Sequence, residues 1–220
     1  MGNIDDLKDY DDKLIYFIIF NISLFLLINY NFKTIVDCYG IISLFLSVPV
    51  LYLPVYLLNN IIPADWKFWI LYYNKNPHRF ASDIFTRLRQ GKIKYNKKDI
   101  DLNLIFKNYR TPNDSFEEDS LWYEIYQKNR YDPKVYQQHK LFLLSRDFTA
   151  IILPLTMLFS IVVYYLGISL DNIFIFLGIS LIEIVIFRYI AIKQNEKFAL
   201  SVLQEETYSL KEEKNGNIEY

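Results

Sequence analysis

From Leu14 to Tyr30 the chain reads LIYFIIFNISLFLLINY, with no charged residue. At helical rise such a run covers roughly 25 Å, just short of the ~30 Å hydrocarbon core of a bilayer. Its recurrence gives it meaning. Thr34 to Ile62 forms a second apolar run, and two more occupy 147–167 and 171–193, while the segment between the pairs is rich in Lys, Arg, Asp, Asn and Tyr. Apolar residues gathered in blocks predict a membrane layout, not one globular core. The expected fold is an all-α membrane protein with four transmembrane helices and a helical cytoplasmic domain inserted between spans 2 and 3.

The expected divisions follow from those runs. An acidic tail at 1–13 precedes a transmembrane hairpin at 14–62, with spans 14–30 and 34–62. The cytoplasmic helical domain is 63–146. A second hairpin follows at 147–193, with spans 147–167 and 171–193, then a C-terminal helix and tail at 194–220. The tail before the first run is acidic where a secretory signal is basic, so that run is expected to be retained. The link between the last two spans is too short for anything but an antiparallel hairpin, and Asp171 suits the N-cap of the fourth span.

The formal charge of -1, from 24 basic and 25 acidic residues, excludes no class because the charges are unevenly placed. Residues 63–146 hold sixteen lysines and arginines, whereas the loops expected on the other side offer only Lys33. Basic residues beside span ends stay in the cytoplasm, which puts both termini and the central domain inside. Cys38 is the only cysteine, so no intramolecular disulfide can form.

Within the central domain, a helix over 82–90 is expected to stop at Gly91, and another fits 99–109. Ser115-Phe116-Glu117-Glu118 fits a capping box ahead of Leu121, Trp122, Ile125 and Tyr126 at helical spacing. Asp132-Pro133 reads as an N-cap followed by an N1 proline, opening a helix that continues into the third span. Phe198, Ala199, Val202 and Leu203 mark one face of a helix extending the fourth span. That face is expected to pack on His139, Phe142 and Leu143.

Glu183, midway along the fourth span, is the most chemically pointed residue, because a carboxyl there is costly unless it faces a partner, a cavity or a pathway. Its bland reading is a hydrogen bond to Asn21, Ser43, Ser47, Thr156 or Ser160 on another span. Arg188, five residues on, is expected to snorkel to the cytoplasmic interface. Pro49 and Pro54 are candidate kinks or pore-lining breaks, and Asp37 stands at the outer mouth of the second span. Lys92, Lys94, Lys97 and Lys98 are candidate contacts for anionic lipid or nucleic acid, although inside-positive topology alone predicts such a cluster, and nucleic acid is the weaker choice. Trp66, Trp69, Tyr95, Trp122 and Tyr126 are candidate partner-interface residues, because so thin a domain offers too little core to bury them. Trp66 and Trp69 also fit an interfacial aromatic belt. No HExxH, GxSxG, Walker or GxGxxG pattern occurs, neither histidine has a second ligand at metal spacing, and no cofactor or metal is expected.

The stretch LWYEIYQKNRYDPKVYQQHKLFLLSRD resembles a pattern of small bacterial membrane proteins and implies no activity. Richness in Ile, Asn, Lys and Tyr suits an AT-rich accessory gene, such as an immunity or phage-defence gene. Three classes stay open. The first is a non-enzymatic adaptor or sensor of the bacterial inner membrane that self-associates and docks a soluble partner. The second is an oligomeric pore or depolarising effector, and the third a transporter or membrane enzyme.

Overall fold

The computed structural model describes residues 10–29, 57, 60–73, 83–94, 99–165 and 170–216. Asp37, Cys38, Pro49, Pro54, His78, Tyr95, Lys97 and Lys98, with most of the expected second span, lie outside them. Regular structure among the described residues is entirely α-helical. The chain divides into two compact units, Ile4–Tyr73 with Leu143–Ala191, and Asn74–Phe142 with Ile192–Tyr220.

The first unit contains α1 (Asp11–Asn29), α2 (Ala64–Tyr72), the C-terminal part of α3 (Pro133–Tyr165) and the N-terminal part of α4 (Leu170–Gly216). Tyr10, Leu14, Ile15 and Ile18 pack on Leu144, Ile151 and Leu155, one stripe from each of two helices. Phe17 stacks on Phe148 at 4.6 Å and meets the edge of Phe187 at 5.0 Å. Pro154 lies inside α3 without ending it. α4 is long and apolar enough to cross a membrane. Only 11% of its most apolar eighteen residues are buried, whereas the core helix of a soluble protein would be mostly covered. Phe174, Ile175, Leu181, Ile182, Val185 and Ile186 point outward from it.

The second unit adds α5 (Ile84–Arg89), α6 (Leu102–Asn108) and α7 (Ser115–Asn129) to the N-terminal part of α3 and the C-terminal part of α4. Its helix ends show why the chain folds this way locally. α5 stops at Gly91, whose φ of 68° lets its N–H reach the Leu88 carbonyl while Lys92 N–H reaches that of Arg87; this paired closure favours glycine. Asp132 caps α3, accepting from Lys134 N at 2.8 Å and Val135 N at 3.1 Å ahead of Pro133. Asp101 caps α6, accepting from Leu104 N at 3.0 Å. The expected capping box is displaced by one residue. Asp114 is the N-cap of α7 and accepts from Glu117 N at 2.8 Å, and the Glu117 carboxylate reaches back to Asn113 N at 2.8 Å. Glu118 is thereby released for another task. Phe198, Ala199, Val202 and Leu203 of α4 are all buried here beside Trp122, Ile125, Val135 and Phe142. The C-terminal segment thus supplies the apolar surface that 63–146 lacks on its own. Residues 64–72, expected in the cytoplasmic domain, instead cluster with the other unit.

Candidate functional site

In the first unit the polar chemistry gathers on Asp147, which is 0% exposed. Its carboxylate accepts from Tyr10 Oη at 2.7 Å, pairs with Lys67 Nζ at 3.1 Å and takes Arg146 through Nε and Nη2, both at 2.9 Å. Lys67 and Arg146 are themselves buried, and the Arg146 guanidinium lies 5.4 Å from the Phe68 ring. Three side chains, from just before α1, from α2 and from α3, therefore meet around one acid. Dehydrating such charges costs several kcal/mol per ion, roughly, so the cluster stands only because each charge keeps a close partner.

α2 is amphipathic in an unusual sense. Lys67 and Leu71 are buried, while Trp66, Trp69 and Tyr73 stand outward at i, i+3 and i+7 and touch in sequence at 6.5 and 6.3 Å. Tyr73 closes the helix in the left-handed conformation, φ 52°, and donates its N–H to the Trp69 carbonyl at 2.7 Å. Arg188 of α4 donates from Nε to the Leu71 carbonyl at 2.7 Å and sets its guanidinium 4.1 Å from the centre of the Tyr73 ring.

Glu183 is half-buried, and its Oε2 is enclosed without a hydrogen-bond partner. One turn earlier the Ser180 hydroxyl is also buried and unpartnered. The donors expected to satisfy Glu183 are engaged elsewhere. Asn21 bonds the Phe17 carbonyl at 3.1 Å, Thr156 that of Ile152 at 2.7 Å and Ser160 that of Thr156 at 2.8 Å. A hydroxyl or amide on a helix finds the carbonyl four residues back without ordering a second helix, and here that local bond wins. Ser43 and Ser47 lie outside the described residues.

In the second unit Trp122 is buried and Tyr126 half-buried, against the expectation that a thin domain would leave them outside. The two rings stack at 5.5 Å, Phe198 meets both edge-on, and Tyr126 Oη is 3.0 Å from His139 Nδ1. His139 in turn stacks on Phe198 at 4.4 Å, as the expected pairing of the two helix faces requires. Burial pushes the Tyr126 phenol above its usual range.

Two buried acids tie the helices of this unit together. Glu118 accepts from the N–H groups of Phe85 and Thr86 and from the Thr86 hydroxyl, capping α5 from across the unit. Glu206 accepts from Tyr109 Oη at 2.8 Å, Lys128 Nζ at 3.0 Å and Asn129 Nδ2 at 2.7 Å. Burial first, then the Glu206 carboxylate, raise the Tyr109 phenol far above its ordinary value. Sequence spacing could not find these two acids, because their partners lie 32 to 97 positions away.

Lys92 and Lys94 are exposed on either side of buried Ile93. Lys94 helps line an open cleft of about 1010 Å³ with Arg89, whose guanidinium sits 4.5 Å over Phe106. Among the described residues the outward aromatics of the unit are Phe116, Tyr123, Tyr131 and Tyr208. Phe116, Ser120 and Tyr123 share the exposed face of α7, beside a groove of about 280 Å³ that Arg110, Pro112 and Glu124 help line. Among the described residues no group of His, Cys, Asp and Glu side chains could hold a metal ion. No known protein family, curated protein or solved structure matches the chain.

Proposed function

We propose that the chain is a four-span protein of the bacterial inner membrane, with both termini and the helical unit in the cytoplasm. It acts there as a non-enzymatic adaptor or sensor that self-associates and docks a soluble partner. The crossing pattern is supported by one convergence. Tyr10 precedes the first apolar run, Lys67 follows the second and Asp147 opens the third, and all three meet in one ion cluster. Arg188, near the end of the fourth, bonds Leu71 and packs on Tyr73, just beyond the second. Ends that meet lie on one side of the bilayer, as two antiparallel hairpins require. The basic residues of the central segment assign that side to the cytoplasm.

The adaptor reading rests on the outer face of α7. Phe116 is 76% exposed and Tyr123 50%, and two large aromatics at helical spacing beside a groove are the kind of anchor that a partner surface covers. The double variant Phe116→Asp with Tyr123→Asp, both outward-facing, should purify in the same oligomer as the wild type but lose the co-purifying soluble protein. Retention of that protein removes the reading.

The pore reading keeps one specific observation in its favour, the enclosed and unpartnered oxygens of Glu183 and Ser180 within the expected fourth span. Polar atoms in that position can line an ion path. Under it, expression of the chain alone collapses the membrane potential and Glu183→Gln restores it. Under the adaptor reading the potential holds in both.

A further inference from the structure

We propose that Arg188, together with the outward face of α2, forms a phospholipid headgroup site in which the guanidinium binds the lipid phosphate and Trp66, Trp69 and Tyr73 lie in the interface around it. The inference rests on the membrane reading above and adds a specific ligand to it. Three observations converge. First, Arg188 is held but not neutralised. Its Nε is committed to the Leu71 carbonyl and its face to Tyr73, and no carboxylate pairs with it among the described residues. The Nη side of the guanidinium keeps its donors, and a phosphate is the anion that a planar fork of N–H groups fits best.

Second, the backbone is arranged around this contact. Leu71 is in the last turn of α2, where carbonyls lack helical partners and cations are favoured. Tyr73 is the only non-glycine residue with positive φ among those described, a conformation that bulky side chains rarely adopt. That conformation accompanies a ring 4.1 Å from the Arg188 guanidinium.

Third, the surroundings suit a headgroup layer better than water or hydrocarbon. Trp66 is 64% exposed, Tyr73 63% and Tyr189, next to Arg188 on α4, 64%. Indole and phenol rings, apolar in body and polar at one edge, collect at the depth of lipid headgroups. The patch is also continuous with the outward apolar face of α4, through Ile182, Val185 and Ile186. That continuity chooses lipid over a protein partner as the occupant.

The test uses the full chain reconstituted in phosphatidylcholine vesicles with phosphatidylglycerol, with or without lipids brominated near the headgroup. The chain has three tryptophans, and Trp122 is buried in the other unit. Bromolipid should quench wild-type emission strongly and that of the Trp66→Phe, Trp69→Phe double variant hardly at all. Aqueous iodide should do little to either. Phosphatidylglycerol retained in detergent, counted by native mass spectrometry, should fall about tenfold in Arg188→Gln. Diacylglycerol and inorganic phosphate should give no comparable adduct. Arg188→Lys, which keeps the charge but not the fork, should fall between.

Equal lipid retention by Arg188→Gln and wild type, or quenching by iodide in place of bromolipid, overturns the proposal. Equal binding of inorganic phosphate overturns it too, by reassigning the site to a free anion. Alkaline carbonate extraction separates the two levels of claim. A chain that stays with the vesicles yet shows no bromolipid quenching loses only this site, whereas a chain released into solution loses the membrane reading as well.

Discussion

At the scale of single residues, Asp147 and Glu206 show how a buried acid can decide a local arrangement. Asp147 has two cations and a phenol on its two oxygens. Removing its charge leaves Lys67 and Arg146 buried with no carboxylate between them. Removing one partner from a buried ion pair costs about 3–5 kcal/mol. Asp147→Asn should therefore lower the detergent-solubilised unfolding midpoint sharply, as followed by circular dichroism. A midpoint equal to that of the wild type would show the cluster to be dispensable. Glu206 is different in kind, since Tyr109, Lys128 and Asn129 reach it from α7 and from just beyond α6. Its substitution by Gln keeps hydrogen-bonding capacity and loses only the charge-assisted part, so Glu206→Leu should destabilise more than Glu206→Gln, by about 1–3 kcal/mol. Chemical denaturation of the two variants side by side checks that order. Glu183 belongs at this scale too, because its expected donors bond their own helices and its enclosed Oε2 has no partner.

At the scale of elements, helix ends determine where the chain turns, and their chemistry is local enough to read in advance. Gly91 and Asp132-Pro133 act where the sequence places them. The start of α7 shows the limit of such reading. Two overlapping patterns, Ser115 with Glu118 and Asp114 with Glu117, are each compatible with a capping box. Geometry selects the second because Glu118 is drawn to the N-terminus of α5. Asp114→Ala should accordingly cost about 1 kcal/mol, whereas Ser115→Ala should be nearly neutral. Equal effects in a denaturant titration would return the cap to Ser115. α2 is the other instructive element. Its sequence ADWKFWILY has aromatic residues on nearly every side. Which of them face outward is set by Lys67, which the Asp147 carboxylate draws inward.

At the scale of the whole molecule, the basic central segment and the meeting of Tyr10, Lys67 and Asp147 make one topological prediction. Reporter fusions after Gly91 and after Gly216 should both be active only as cytoplasmic reporters, and a fusion in the loop at 31–33 only as a periplasmic one. A periplasmic signal from the Gly91 fusion would defeat the arrangement. What the sequence by itself determined is the all-helical class, the outward-facing apolar helix beginning near Asp171 and the unbroken course of α3 and α4, because periodicity, uncharged run length and capping residues act over a few neighbouring positions. Only the tertiary structure decided which residues share a unit, that Trp122 is core while Phe116 and Tyr123 are surface, and that Arg188 rests on Tyr73 in place of an acid. Those outcomes depend on pairings far apart in the chain, 77 positions for Trp122 with Ala199 and more than a hundred for Arg188 with Leu71 and for Tyr10 with Asp147. Local sequence rules carry no information about such distances, since a side chain's partner is set by where the packed helices bring it.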